Sequence, residues 1–147
     1  MNSILRGLCL LVFVAIALGC SGQSGPPLGK VTGTVKVDGV PVEGAGLEFV
    51  ADAGGVSYGR TDASGNYYLS FGSSRTGALV GRNVVRITAS DIVTVGSKKY
   101  ESTEIFPKKY NTDSQLVVEV ARDNNRFDFD CESAGDTPRQ KISRGGN

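Results

Sequence analysis

The sequence contains no histidine and no tryptophan, and its 147 residues include three cysteines and one methionine. The absence of histidine excludes a Ser-His-Asp or Cys-His catalytic arrangement and removes the commonest protein ligand of zinc and iron. The scattered carboxylates are candidates for acid–base chemistry, but on outward strand positions a solvated face is their simpler interpretation. We therefore expect a protein that is not an enzyme and that carries no cofactor.

Neither sign of charge dominates the chain. It has 16 basic and 15 acidic residues, and removal of residues 1–19 would take away only Arg6, leaving 15 of each. Proteins that bind nucleic acid need a basic surface to neutralise phosphates. Nucleic acid is therefore not an expected partner.

Long apolar runs are also scarce. The longest is Leu8–Leu18, which follows Arg6. At about 1.5 Å per residue the run spans roughly 17 Å, too short for a hydrocarbon core of about 30 Å. A short basic segment followed by such a run predicts a secretory signal helix.

The apolar run ends in Ala17-Leu18-Gly19-Cys20, which resembles the lipobox of bacterial lipoproteins, although the family usually has leucine in place of Ala17. The resemblance implies that residues 1–19 are a lipoprotein signal peptide and that Cys20 is acylated, as by palmitate, and becomes the N-terminus. The partner of the anchor would be a membrane of the bacterial cell envelope, the outer side of the inner membrane or the outer membrane. An ordinary signal cleaved nearby, with Cys20 left as a thiol, is the alternative.

Composition divides the rest of the chain into three parts. Residues 20–29 are rich in glycine, serine and proline, which predicts a flexible tether. Residues 30–131 contain the alternating apolar patterns of a folded β domain. Residues 132–147 are polar and lack an apolar period, which predicts a disordered tail.

The domain opens with a predicted hairpin. Apolar and polar residues alternate from Lys30 to Val37 with the period of two that gives a strand one buried face. Asp38-Gly39 then predicts a tight turn, because glycine adopts positive φ at little cost. Within the buried row, Gly33 indicates a bulge or the close approach of another backbone. The predicted buried residues of the two strands are Val31, Gly33, Val35, Val37, Ala45, Leu47 and Phe49.

The pattern V-x-G-x-V-x-x-D-G-x-P-x-x-G-A-x-L-x-F at Val31–Phe49, with T-D-x-x-G-x-Y at Thr61–Tyr67, resembles the carboxypeptidase regulatory-like domain. The resemblance covers roughly residues 30–130 and implies a single seven-stranded β-sandwich, transthyretin-like or immunoglobulin-like, while its motifs indicate almost nothing about activity. Enzymes with a similar sandwich use histidines that this chain lacks. Asn83 stands where the family often has an aromatic residue.

Further strands are predicted at 56–60, 66–71, 78–89, 116–120 and 126–130 from their alternating apolar residues. The longest connection is predicted to be a loop over 91–114, and loops of that length are commonly functional or packed by their own side chains. Ile105, Phe106 and Tyr110 are expected to hold this loop against the domain.

A cluster of lysines and tyrosines in and beside this loop is the first candidate binding site. Positive charge mixed with aromatic rings suits contact with a glycan or a protein of the cell envelope. Lysines that merely solubilise a loop are the alternative interpretation. The predicted rim consists of Lys98, Lys99, Tyr100, Lys108, Lys109 and Tyr110.

A calcium site is the second candidate. Asp62, Ser64 and Asn66 have the spacing of the first oxygen ligands of a calcium loop, but Gly65 comes one place early and Ser73 stands where a closing glutamate is needed. A hydrogen-bonded turn is therefore the simpler interpretation.

Cys131 is the third candidate, as an odd cysteine in an exported chain. We expect a free thiol, while pairing between molecules or with an unacylated Cys20 stays open.

These observations favour a non-catalytic, lipid-anchored β-sandwich that acts as a binding or assembly module of the bacterial cell envelope. The alternative is a calcium-dependent binder, or a cryptic enzyme that uses the acidic turns and the 91–114 loop.

Overall fold

A computed structural model describes residues 25–89, 92–101 and 103–137, and these form an all-β fold, as the sequence predicts. The predicted signal helix, Cys20 and the first half of the tether lie outside the described residues. Within the described ranges no helix has both the length and the apolar character needed to cross a membrane.

The described residues form thirteen strands and one 3₁₀ turn at Lys108–Tyr110. The strands are β1 (Leu28–Val37), β2 (Val40–Glu43), β3 (Gly46–Ala51), β4 (Val56–Arg60), β5 (Asn66–Phe71), β6 (Arg75–Thr76), β7 (Ala78–Leu79), β8 (Gly81–Thr88), β9 (Ile92–Val95), β10 (Lys98–Glu101), β11 (Val117–Val120), β12 (Asn124–Arg126) and β13 (Phe129–Cys131). Neighbouring strands follow the order β10-β9-β2-β1-β5-β4-β3-β8-β11, while β6 pairs with β5, and β7, β12 and β13 pair with β1. All pairs are antiparallel except those of β12 and β13, which run parallel to β1.

The predicted count of seven strands is not confirmed, because several predicted strands are interrupted. The predicted strand over 78–89 divides at Val80 into β7 and β8. Here the fully buried Asn83 donates hydrogen bonds from Nδ2 to the carbonyls of Leu79 and Gly81, at 2.9 and 2.8 Å. The two hydrogens of its amide nitrogen thus satisfy two carbonyl groups at the bend between the two strands.

Strand β1 lies at the centre of the fold. Its ten residues pair with β7 at the start, with β12 and β5 in the middle, and with β13 and β2 at the end. The predicted row of Val31, Gly33, Val35 and Val37 is buried. The predicted turn after β1 is confirmed as well, since Asp38 and Gly39 have φ of 50° and 79°, the positive values of a type I′ hairpin.

Gly33 marks the close approach of another backbone, as predicted. A Cβ atom at this position would lie 1.8 Å from the carbonyl oxygen of Phe127. That carbonyl accepts a hydrogen bond from the hydroxyl of Tyr67 at 2.8 Å, and the Phe127 N–H donates to the carbonyl of Thr32 at 3.0 Å. The missing side chain therefore allows the segment between β12 and β13 to lie against β1.

A single hydrophobic core joins the inward faces of the main strands. The predicted inward residues Leu47, Phe49, Leu69, Val85 and Ile87 all belong to it. The centroid of the Phe49 ring lies 6.2–6.4 Å from the centroids of three other aromatic rings. Together these rings fill the space near Gly33. These three rings are those of Tyr67, Phe127 and Phe129.

The prediction of one long loop over 91–114 is wrong for its first part. Ile92–Val95 and Lys98–Glu101 form the antiparallel hairpin β9–β10, which extends the sheet beside β2. The local signal is a β-branched run followed by Gly96, whose φ of 59° suits a tight turn. The second part holds to the domain as predicted, because Phe106 is fully buried and Ile105 and Tyr110 pack against the core.

Substitution of Gly33 by alanine tests the contact between β1 and the C-terminal segment. The added methyl group would overlap the Phe127 carbonyl, so we expect the free energy of unfolding to fall by roughly 2–4 kcal/mol. Chemical denaturation measures the effect. Thr32→Ala, on the exposed face of the same strand, is the control and should change stability by no more than about 0.5 kcal/mol. Equal stability of the two variants would contradict the close approach.

Candidate functional site

Four of the six predicted rim residues line two different cavities. Lys98 and Tyr100 in β10 line a cavity of about 420 Å³, together with Val40 and Ile105. Lys108 and Lys109 line a different cavity of about 310 Å³. Ser133 lines the first cavity and residues 134–136 line the second, so the beginning of the predicted tail contacts both halves of the rim.

Most of the charge on the rim is paired. Lys99 Nζ lies 2.9 Å from Glu101 Oε1, Lys108 Nζ 2.6 Å from Asp136 Oδ2, and Lys109 Nζ 2.6 Å from Glu132 Oε2. The hydrogen bond with Glu132 raises the pKa of Lys109. Its ammonium group also lies 5.1 Å from the centroid of the Tyr110 ring. The rim therefore presents little free positive charge and little open aromatic surface.

The tail residues that the structure describes, 132–137, lie against the domain. The Glu132 N–H donates to the Tyr110 hydroxyl at 3.0 Å, and the Ser133 N–H donates to Asp38 Oδ1 at 3.1 Å. The Lys108 N–H donates to the carbonyl of Asp136 at 2.7 Å. Residues 138–147 of the predicted tail lie outside the described residues. At the other end of the domain, β1 already begins at Leu28, within the predicted tether.

Glu104 is a half-buried carboxylate that sequence reasoning did not single out. Its Oε1 accepts hydrogen bonds from the N–H groups of Phe106 at 2.8 Å and Ala89 at 3.2 Å. Burial raises its pKa, against the opposing effect of these backbone hydrogen bonds. Glu104 thus joins the segment before the 3₁₀ turn to the end of β8, which is a structural task.

The candidate calcium residues form a hydrogen-bonded turn. Asp62 Oδ1 accepts from the N–H groups of Ser64 and Asn66, at 2.8 and 2.9 Å, and the hydrogen bond from Asn66 lowers the pKa of Asp62. The oxygen best placed for a cation is therefore already engaged by backbone donors. Among the described residues, no three histidine, cysteine or acidic side chains come together in a way that would hold a metal ion.

Cys131 is a free cysteine at the end of β13, and it is buried. Burial raises the pKa of its thiol to about 12. The thiol therefore stays protonated at neutral pH, which disfavours nucleophilic or redox chemistry. Cys20, its conceivable disulfide partner, lies outside the described residues.

An apolar row on the outer face of the sheet is the feature that sequence reasoning missed. Register places Val50 in β3 opposite both Val56 in β4 and Val84 in β8, and Val84 opposite Val117 in β11. We call Val50, Val56, Val84 and Val117 the valine row. None of the four belongs to the core, and Val117 is 47% exposed. Four adjacent strands at about 4.8 Å spacing give the row a length of about 14 Å.

Paired charges border the valine row on both sides. On one side Arg86 lies opposite Glu48, with 3.9 Å between Nη1 and Oε2, and Tyr58, 56% exposed, lies next to Glu48. On the other side Arg82 lies 3.0 Å from Asp52 and opposite Glu119. An apolar strip with a polar, charge-balanced border has the anatomy of a protein–protein contact.

Comparison of the sequence with the models of known protein families gives no match. A search of curated proteins finds no significant relative either.

The role of Glu104 can be tested by its dependence on pH. A raised pKa means that the folded protein binds the Glu104 proton more tightly than the unfolded chain, so wild-type stability from this group falls as the pH rises through that pKa. Glu104→Gln cannot ionise. We therefore expect the melting temperature of the wild type, minus that of the variant, to be larger near about pH 4 than near about pH 7.

Thermal melts across this pH range measure the difference. Glu101→Gln is the control, because the Glu101 side chain is exposed and pairs with Lys99 in a surface ion pair worth about 1 kcal/mol or less. A difference for Glu104→Gln that grows with pH would show instead that the ionised carboxylate is the form that stabilises the fold.

Proposed function

We propose that this protein is a lipid-anchored, non-catalytic β-sandwich of the bacterial cell envelope and that it binds another protein through the valine row. In this proposal residues 1–19 are the signal peptide, Cys20 carries the acyl chains, and the domain is of the carboxypeptidase regulatory-like type. Two or more acyl chains would make the anchoring stable, because each buried methylene contributes about 0.8 kcal/mol.

A sandwich is supported by the way in which the inward side chains meet. Residues from β1, β3, β5, β8 and β9 enter one core, although these strands span most of the strand order. A flat sheet would not bring them together, and a sheet that folds back on itself around the core, as in the proposed sandwich, would do so. The motif at Val31–Phe49 supports the same fold through its confirmed Asp38-Gly39 turn and close contact at Gly33.

The observation that carries the binding proposal is the valine row, in which Val117 is exposed and the other three valines are half-buried. Outward positions of a half-solvated antiparallel sheet are normally polar, and here four strands place valine at the same level. A partner that covered about half of the apolar area of these side chains would remove that area from water. This burial favours association by about 25 cal/mol for each Å². The bordering Glu48–Arg86 and Asp52–Arg82 pairs would limit the partners to surfaces with complementary charge.

A protein fits the valine row better than a glycan does. Sugars stack on flat aromatic rings, and the branched aliphatic side chains of the row offer no such plane, since the exposed ring of Tyr58 lies only on its border. The tyrosines of the predicted rim are also unsuited to stacking, because Tyr100 and Tyr110 are half-buried and Lys109 lies over the Tyr110 ring.

The binding proposal is tested with a photo-crosslinking amino acid at Val117 in native cell envelopes. We expect a discrete protein adduct, and we expect the additional substitution Val84→Lys to remove at least about nine-tenths of it, because a charge would be placed within the apolar strip. The same crosslinker at the exposed Ser73 is the control for position. An adduct that survives Val84→Lys would show that the valine row is not the contact.

The anchor is tested separately by Cys20→Ser. We expect this variant to lose labelling by radioactive palmitate and to move from the membrane fraction to the soluble or precursor fraction, since no thiol is left to acylate. Cys9→Ser is the matched control, because Cys9 lies inside the predicted signal peptide and should not matter. Retention of the label after Cys20→Ser would place the acylation elsewhere.

A further inference from the structure

One cavity lies where the described chain begins. It has a volume of about 830 Å³ and is lined by three segments: residues 25–28 and Lys30 at the start of β1, residues 74–76 at β6, and residues 122–124 at β12. We call this cavity the N-terminal groove. It is distinct from the valine row, which crosses β4, β3, β8 and β11.

Positive charge is concentrated in the N-terminal groove. Its lining contains Lys30, Arg75 and Arg122 against one acidic residue, Asp123. None of these three cations forms an ion pair among the described residues, whereas Arg82, Arg86, Lys99, Lys108, Lys109 and Arg126 all do. Because the chain after residue 19 carries equal numbers of basic and acidic residues, this local excess is a separation of charge and not a general property of the surface.

The guanidinium group of Arg75 is held at the place where the chain enters the domain. Its Nη2 donates a hydrogen bond to the carbonyl of Pro26 at 2.8 Å. This contact uses one of the five N–H donors of the guanidinium, so others can bind an anion. A planar guanidinium binds phosphate oxygens in pairs, which makes it a strong phosphate ligand.

The length of the tether limits how far this groove can be from a membrane. Four residues lie between Cys20 and Gly25, and these five steps along the chain span at most about 3.6 Å each, or roughly 18 Å. A random coil of the same length would span about 12 Å. Acylated Cys20 would therefore hold the groove near the bilayer, and a tether of this length allows it to approach the headgroups to within the Debye length of about 8 Å, where charge acts.

We propose that the N-terminal groove binds the phosphate of anionic phospholipid headgroups through Lys30, Arg75 and Arg122. This inference rests on the proposed anchor at Cys20. The acyl chains supply membrane attachment, and the groove sets the orientation of the domain, with its N-terminal end against the bilayer. The valine row, on strands at the far end of the strand order, then stays available to a partner.

The experiment uses a chain that begins at Ser21, which retains every described residue and so the whole core and all strand pairs. Its sedimentation is measured with vesicles of phosphatidylcholine alone and of phosphatidylcholine mixed with phosphatidylglycerol, at low and high salt. We expect binding only to the mixed vesicles and its loss at high salt. Each basic residue near an anionic surface contributes about 1 kcal/mol, so Arg75→Gln with Arg122→Gln should weaken binding by about tenfold or more.

Two controls make the result specific. Lys98→Gln with Lys99→Gln removes the same amount of charge from β10 and should weaken binding by no more than about twofold. The second control is Arg122→Gln alone, which removes a side chain with no hydrogen bond among the described residues. Weaker vesicle binding by this variant therefore cannot be attributed to lost folding. Thermal melts of all variants check that they fold.

Equal loss with the β10 control, or binding that ignores phosphatidylglycerol, would overturn the proposal. Competition by inorganic phosphate at equal concentration would also overturn it, because the groove would then be a site for soluble phosphate. These outcomes are independent of the anchor, since the chain from Ser21 carries no acyl group, and failure of Cys20 acylation would appear only in the palmitate experiment.

Discussion

The contact between the backbone of β1 at Gly33 and the backbone at Phe127 is the constraint on which the rest of the fold depends. The C-terminal segment returns across almost the whole domain to lie parallel to the first strand, and it can do so only where no side chain intervenes. Between β12 and β13 the carboxylate of Asp128 accepts hydrogen bonds from the N–H and the hydroxyl of Thr34, at 2.9 and 3.0 Å. In the gap between these two strands, the Asp128 carboxylate thus takes the place of a backbone carbonyl as the acceptor for Thr34.

Both proposed surfaces follow from the central position of β1. Its first residues pair with β7 and β12, which brings residues 74–76 and 122–124 around the entering chain and forms the N-terminal groove. Through β5, the sheet continues to β4, β3, β8 and β11, where the valine row lies. Attachment and partner binding can therefore occupy different strands of one small domain without competing for the same residues.

Sequence reasoning recovered the parts that depend on near neighbours. The Asp38-Gly39 turn, the buried rows of β1 and β3 and the inward Val85 and Ile87 are local patterns, and the structure agrees with them. The hairpin β9–β10 departs from the predicted loop, although its β-branched residues and Gly96 give a local signal. Composition groups the six rim residues, and the structure places four of them in the linings of two different cavities.

The sequence by itself determined that the domain is built from strands, which residues face inward, and that no histidine-dependent chemistry can occur, because alternation, turn chemistry and residue type are properties of short segments. Only the tertiary structure decided which strands meet and in what register. Val50, Val56, Val84 and Val117 are separated by up to 67 positions, and they form one row because the register of three strand pairs aligns them. The grouping of Lys30, Arg75 and Arg122 has the same cause, since long-range pairing with β1 is set by the packing of the whole core.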